Sequence, residues 1–295
     1  MRIAAYRTPA RPELGLLAAD GVTLEPFALA AEVAAAGVMA LLDAPTLPPL
    51  RPGVRHVRGV DGVALCAPLP RPRRNVFCIG KNYPAHVAEI ARAGFDTTGG
   101  GGQAPAAPIV FSKLPECVIA DGAPIPLDAG VTQALDYEAE LAVIIGRAGR
   151  AIAREHALEH VWGYTIINDV TARDVQKRHQ QWLLGKSQDG FCPMGPCAVP
   201  RAALDLADTP IRCRVNGELR QDGNTALMMF DVASLVAIIS RGITLLPGDV
   251  IATGTPDGVG AGFAPPRFLG VGDVVSIEIP PIGVLENPVA AWSPG

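Results

Sequence analysis

Asp136, Glu138 and Glu140 stand at alternate positions in Leu135-Asp136-Tyr137-Glu138-Ala139-Glu140-Leu141, and the Ala, Val and Ile run that follows reads as strand. Residues two apart on a strand point to one face. These carboxylates therefore project together, while Tyr137, Leu141, Val143 and Ile145 turn to the other face and into a core. Like charges so placed are unfavourable unless something compensates them. Two readings follow: a solvated acidic edge, the ordinary fate of charges on one strand face, or a site for a hard cation that prefers oxygen ligands.

A second acidic segment tips the balance toward the cation. Asn168-Asp169-Val170-Thr171-Ala172-Arg173-Asp174 comes directly after the apolar run Val161-Trp162-Gly163-Tyr164-Thr165-Ile166-Ile167. A strand ending in an acidic turn can bring a third carboxylate to the first two. Asp169 is the candidate, whereas Asp174 is expected to pair with a nearby Arg or to cap the helix beginning at Val175-Gln176-Lys177. Three carboxylates with few other ligands suit Mg²⁺ or Mn²⁺ that retains water, better than a fully protein-caged Ca²⁺. Zinc is not indicated.

His86 and Glu89 are three apart, so on a helical turn they share one face, and the carboxylate can orient the imidazole as a general base. From spacing alone a lone His is more often structural. Lys186, in Gly185-Lys186-Ser187, invites comparison with a phosphate-binding loop, but that motif needs a glycine five residues before Gly185, where Gln180 stands. A surface lysine is the default reading there; beside a bound substrate it can stabilise a developing oxyanion or bind a carboxylate. Gly254-Thr255-Pro256-Asp257-Gly258-Val259-Gly260 follows Val250-Ile251-Ala252 without the glycine spacing of a dinucleotide fingerprint, and Pro265 and Pro266 preclude a following helix. It reads as a tight loop.

Taken in order, the acidic strand, Asn168 to Gln176, Gly185-Lys186-Ser187 and the 254–260 loop resemble the motif series of the fumarylacetoacetate hydrolase family. Gly80-Lys81-Asn82-Tyr83-Pro84-Ala85-His86-Val87-Ala88-Glu89 resembles that family's lid motif. Five spaced motifs are far more specific than any one. The resemblance implies Mg²⁺ or Mn²⁺ on Glu138, Glu140 and Asp169, a water-activating lid pair in His86 and Glu89, and a catalytic lysine in Lys186. It further implies substrate contacts from Gln176 and Thr255, and a homodimer. Lys81-Asn82-Tyr83 offers no further acidic ligand, which favours three carboxylates completed by water and substrate; Gln180 stands where some members carry tyrosine.

The implied reaction is metal-dependent hydrolysis of a C–C bond in a small 2-oxo acid bearing a β-carbonyl, of the acylpyruvate or fumarylpyruvate kind. The alternative is a decarboxylase of an oxaloacetate-type acid or an isomerase of a hydroxymuconate-type diene acid, since each passes through an enolate. From another class, the chain is a noncatalytic small-acid binder, against which the intact His86, Glu89 and Lys186 argue.

The elements that must position these groups are mostly strands: Val76 to Ile79, Ile109 to Phe111, Leu141 to Ile145, Trp162 to Ile167, Ile211 to Val215, Val250 to Ala252 and Val274 to Ile279, with Gly, Pro and Asp in nearly every gap. Helices are expected over Val170 to Gln181 and Asp231 to Arg241, which makes the chain a β-rich α+β protein. The family implies a mixed β-sandwich roll over residues 73–295. Residues 1–72 form a small N-terminal accessory domain with three strands, Arg2 to Tyr6, Leu14 to Leu17 and Val22 to Phe27, and an Ala-rich helix over Leu29 to Leu42; Pro-rich stretches close it. The Gly-rich segment Thr97 to Pro105 reads as a mobile connection beside the lid.

Composition bounds the rest. The 295 residues are 49% hydrophobic and 18% charged, globular rather than disordered. A net charge of -4 gives no electrostatic footprint for nucleic acid, and Arg71-Pro72-Arg73-Arg74 reads as a solvated linker. The six cysteines show no C-x-x-C spacing, so they are expected to be mostly buried, reduced thiols. No signal-peptide pattern opens the chain and no apolar run is long enough to span a bilayer, which points to the cytoplasm.

Overall fold

The apolar run after Glu140 is buried on both faces, as a continuous Ala, Leu, Val and Ile segment requires, and forms the strand Ala139–Ile145 inside a 12-stranded mixed sheet. The computed structural model describes residues 1–44, 46–98 and 101–293. Antiparallel partners flank that strand, Val161–Asn168 on one side and Val250–Ala252 on the other. Beyond Val250–Ala252 lies the parallel strand Val76–Gly80, which carries the lid motif at its end, and then Ile109–Lys113. In the other direction Cys192–Pro200 joins Val161–Asn168 to Ile3–Arg7, so the strands of the N-terminal segment continue the same sheet.

A five-stranded sheet, built from Glu218–Asn224, Pro210–Val215, Val274–Ile279, Gly283–Ala291 and Ile125–Leu127, packs over the large one. The chain is thus α+β and strand-rich, with mixed sheets in the expected roll. Side-chain parity along Ala139–Ile145 separates two cores. Leu141, Val143 and Ile145 join Ile211, Cys213, Ile277 and Leu285 between the sheets. Ala142 and Ile144 face the opposite side, with Ile167, Val250 and Ala252. Glu138 and Glu140 have the parity of Ala142 and Ile144, so the acidic site opens on that second face.

Most strands begin and end within a residue or two of the expected positions, and Asp231 caps the helix Val232–Ser240 by accepting from the Ser234 amide, 2.8 Å. The helix expected over Leu29 to Leu42 is different. It breaks into a four-residue turn, Ala31–Ala34, and a 3₁₀ segment, Gly37–Leu41. The cause is Gly37, held at φ +61, where a side chain would collide with the Pro68 carbonyl. The helix expected from Val170 is Arg173–His179, preceded by a short strand, Thr171–Ala172, paired with Leu135–Asp136. Arg74 of the basic run is tied to buried Asp249, Nε to Oδ1 2.7 Å. All six cysteines are free thiols and five are buried. Among the described residues no helix is long and apolar enough to cross a membrane.

Candidate active site

Backbone pairing delivers the third carboxylate to the first two. Where Ala139–Ile145 meets Val161–Asn168, Ala139 pairs with Asn168. One residue further the Asp169 amide donates to the Glu138 carbonyl, 2.9 Å, and the Glu138 amide donates to Asn168 Oδ1, 3.0 Å. Oxygens of Glu138, Glu140 and Asp169 consequently lie within 4.8 Å of one another, all three residues buried. An all-oxygen donor set of this charge fits a hard divalent cation. The cationic group now in that position is the Lys186 ammonium, which bridges Glu138 Oε2 at 2.7 Å and Asp169 Oδ2 at 2.8 Å.

Asp136 shares the parity of the two glutamates but not their role. Its carboxylate accepts from the Gly260 amide at 2.6 Å, the Ala261 amide at 3.1 Å and Arg173 Nε at 2.8 Å, so it has no oxygen left for the cavity. Arg173 reaches on to Glu138 Oε1, 2.6 Å, and to Gln176 Oε1, 3.4 Å. Among the described residues Asp174 neither pairs with an Arg nor caps the helix from the N-cap position. It sits in the first turn and accepts from Thr132 Oγ1 at 2.6 Å and the Gln133 amide at 3.0 Å.

The two glutamates titrate in opposite directions. Burial would raise the Glu138 carboxyl, but Lys186 and Arg173 outweigh it and hold Glu138 far below the ordinary range. Burial pushes Glu140 well above its ordinary value of 4.5, and Asp169 and Glu138 push it the same way; the Lys186 ammonium and, after it, the Gly254 amide at 2.9 Å relieve it only in part. Below that ordinary value Glu140 is protonated folded or unfolded. Above it only the unfolded chain releases the proton, so stability falls as pH rises toward the raised value. Glu138 acts in the other window, its contribution being lost as pH drops below 4.5 and toward its depressed value. Melting curves of the metal-free chain from about pH 5 to 8 are therefore expected to contain a downward slope that Glu140→Gln removes; an identical slope in that variant would contradict the assignment.

The strand Val76–Gly80 is followed by Lys81, at φ +56, and Pro84 then opens the helix Pro84–Arg92 at its first position. His86 and Glu89 fall on its buried face, Nδ1 to Oε2 3.3 Å. Glu89 Oε1 accepts from the Gly258 amide at 2.9 Å, fastening the lid helix to the 254–260 loop. Lys81 Nζ donates to Asp96 at 2.7 Å and Thr98 at 2.6 Å, and Trp182 Nε1 donates to Thr97 at 2.7 Å, so the chain after the helix is also held over the cavity. Gly99 and Gly100 of the expected mobile connection lie outside the described residues.

Gly262 packs directly on the Glu89 side chain, where an added Cβ would collide with its carboxylate. Gly262→Ala is expected to dislodge Glu89 and loosen His86, lowering turnover about tenfold to a hundredfold while leaving Mn²⁺ affinity intact. Steady-state rates and calorimetry check both halves.

One cavity is lined by His86, Glu138, Glu140, Gln176, Lys186 and Thr255, so six of the eight residues singled out from sequence face a common space. Asp169 lies beneath it as a buried partner of Lys186, and Glu89 stands behind His86. Thr255 is fixed by Gln221 Nε2, 2.7 Å to its Oγ1. Phe111, Trp182, Phe95 and Ile79 supply the apolar walls, and the Lys186 ammonium lies 5.0 Å from the centre of the Phe111 ring. Sequence reasoning gave Arg173 no role and missed Lys113, a lysine with no exposed surface that donates to Asp169 Oδ1 at 2.7 Å. Its signal was the alternation Ile109, Phe111, Lys113, which puts Lys113 on the same strand face as a cavity residue.

The model of the fumarylacetoacetate (FAA) hydrolase C-terminal domain matches residues 75–290, and the chain belongs to that family. Its relatives include named enzymes, and the chain is an enzyme of that family. Oxaloacetate tautomerase YisK of Bacillus subtilis (strain 168) is 48% identical over 228 residues, covering 77% of this chain and 73% of that one. Among solved structures, a fumarylacetoacetate hydrolase from psychrophilic Exiguobacterium antarcticum superposes with a TM-score of 0.83 at 43% identity, covering 99% of this chain and 100% of that one. The 5-carboxymethyl-2-hydroxymuconate delta-isomerase from Mycobacterium smegmatis gives 0.77 at 34% identity, covering 99% and 100%.

Proposed function

We propose that this enzyme is a divalent-metal-dependent isomerase that interconverts the keto and enol forms of a small 2-oxo diacid of the oxaloacetate type. The observation that carries the reading is the convergence of His86, Lys186 and the carboxylate triad on one lid-covered cavity. Keto–enol exchange needs a proton acceptor beside a carbon next to the carbonyl and positive charge beside the carbonyl oxygen. C–C hydrolysis needs, in addition, an aimed water and room for a leaving group. The names of two similar proteins, a tautomerase and a delta-isomerase, favour isomerisation over the hydrolysis expected from the motifs.

In this reading Glu138, Glu140 and Asp169 hold Mg²⁺ or Mn²⁺, which supplies Lewis-acid stabilisation of charge on the 2-oxygen. His86, oriented by Glu89, takes a proton from C3, and the C–H electron pair becomes the C2–C3 double bond. Charge then builds on the 2-oxygen, where Lys186 donates a hydrogen bond; return of the proton held by His86 to that oxygen completes the enol and restores the base. Gln176 and Thr255 orient the carboxylates. The lid helix excludes water and so suppresses competing hydrolysis.

The test begins from enol oxaloacetate in the presence of Mg²⁺ or Mn²⁺. Loss of the enol's ultraviolet absorbance is expected to accelerate while the four-carbon acid is conserved. Pyruvate appearing as fast as the enol disappears would replace this reading with decarboxylation, and cleavage of acylpyruvates faster than isomerisation would restore hydrolysis.

A further inference from the structure

Lys113 closes the strand Ile109–Lys113 with its ammonium fully enclosed. An unpaired ammonium there would cost several kcal/mol, and the chain spends all three N–H donors on compensating it. They go to Asp169 Oδ1 at 2.7 Å, to the Val170 carbonyl at 3.1 Å and to the Lys186 carbonyl. Asp169 is consequently divided: Oδ1 is turned inward to Lys113, and Oδ2 faces the triad and Lys186. The carbonyl of Lys186, the last residue of the turn Leu183–Lys186, is gripped at the same time. Two residues earlier on the same strand face, Phe111 lies beneath the Lys186 ammonium.

From this division we infer that Lys113 is a positioning residue that sets metal selectivity: by occupying Asp169 Oδ1 it confines Asp169 to one-oxygen coordination and so disfavours Ca²⁺ relative to Mg²⁺. The inference rests on the proposed metal site. Mg²⁺ accepts a few single carboxylate oxygens and keeps its remaining waters in an octahedron, whereas Ca²⁺ takes six to eight oxygens and gains from carboxylates that chelate through both. Glu140 is limited in the same way, since Oε2 is held by the Gly254 amide. Glu138 is limited likewise, its Oε1 being held by Arg173. Lys113, like Gly254 and unlike Arg173, acts from outside the cavity lining.

Calorimetric titration of the intact chain with Mg²⁺ and with Ca²⁺ tests it. The parent is expected to bind Mg²⁺ at least as tightly as Ca²⁺, and Lys113→Met, of similar length and without charge, to shift the affinity ratio toward Ca²⁺ by about tenfold or more. Lys113→Arg, which keeps a donor toward Asp169, is expected to stay closer to the parent. A folded Lys113→Met with an unchanged ratio overturns the inference while leaving the metal site standing. A parent that binds neither ion overturns the metal site itself. If the variants do not fold, the parent ratio decides alone, a clear preference for Ca²⁺ counting against Lys113.

Discussion

Glu140→Gln is expected to lose divalent-ion binding and turnover together, yet to melt at a higher temperature than the metal-free parent. Glu140 is 1% exposed, and burial together with Asp169 and Glu138 raises its carboxyl well above the ordinary value. Holding a proton that the unfolded chain releases above the ordinary value costs the folded chain stability, a cost that a neutral amide removes. Gln also retains an oxygen to accept from the Gly254 amide. The catalytic loss follows from the cation: Lewis-acid stabilisation is worth several kcal/mol, so turnover should fall by about a hundredfold or more. Calorimetry with Mn²⁺ and a melting scan in chelator separate the two effects. Undiminished Mn²⁺ affinity in the variant would remove Glu140 from the site.

His86→Ala should cost about a hundredfold to ten-thousandfold in isomerisation, the range for loss of a general base. The triad should remain able to take up Mn²⁺ and a chelating inhibitor such as oxalate. Glu89→Gln should cost less, because it removes the carboxylate that orients the ring but leaves an oxygen for the Gly258 amide. Metal-promoted decarboxylation needs no such base. Slow pyruvate formation that survives in His86→Ala while isomerisation disappears would show two separable activities; near-parental isomerisation would sink the proton-transfer role.

The groups that were legible in the sequence are those whose placement depends on local periodicity. Glu138 and Glu140 share a face because a strand alternates, and His86 and Glu89 because a helical turn returns after three or four residues. Asp136 obeys the same alternation but is claimed by partners far along the chain, Gly260 and Ala261, which no spacing near residue 136 announces. Lys113 was missed for a similar reason. A lysine ending an apolar strand ordinarily marks a solvated edge, and only the turn at Asp169 and the Lys186 carbonyl make it a buried group. The strand Cys192–Pro200 was hidden by Pro193, Pro196 and Pro200, whose missing amides normally exclude central strands. The helix at Leu29 failed at Gly37 because propensity cannot foresee the neighbouring Pro68 carbonyl.

Parity along the segment from Leu135 to Ile145 assigns odd positions to the inter-sheet core and Glu138, Glu140, Ala142 and Ile144 to the opposite side. A pairing slip of one residue would send the glutamates into hydrocarbon and present Tyr137 and Ala139 in their place. On the proposed metal site, cation capture would act as proofreading of the hairpin. A mispaired chain would forfeit its core and that cation in a single error, and only a correctly threaded chain would receive the added stability of a bound ion.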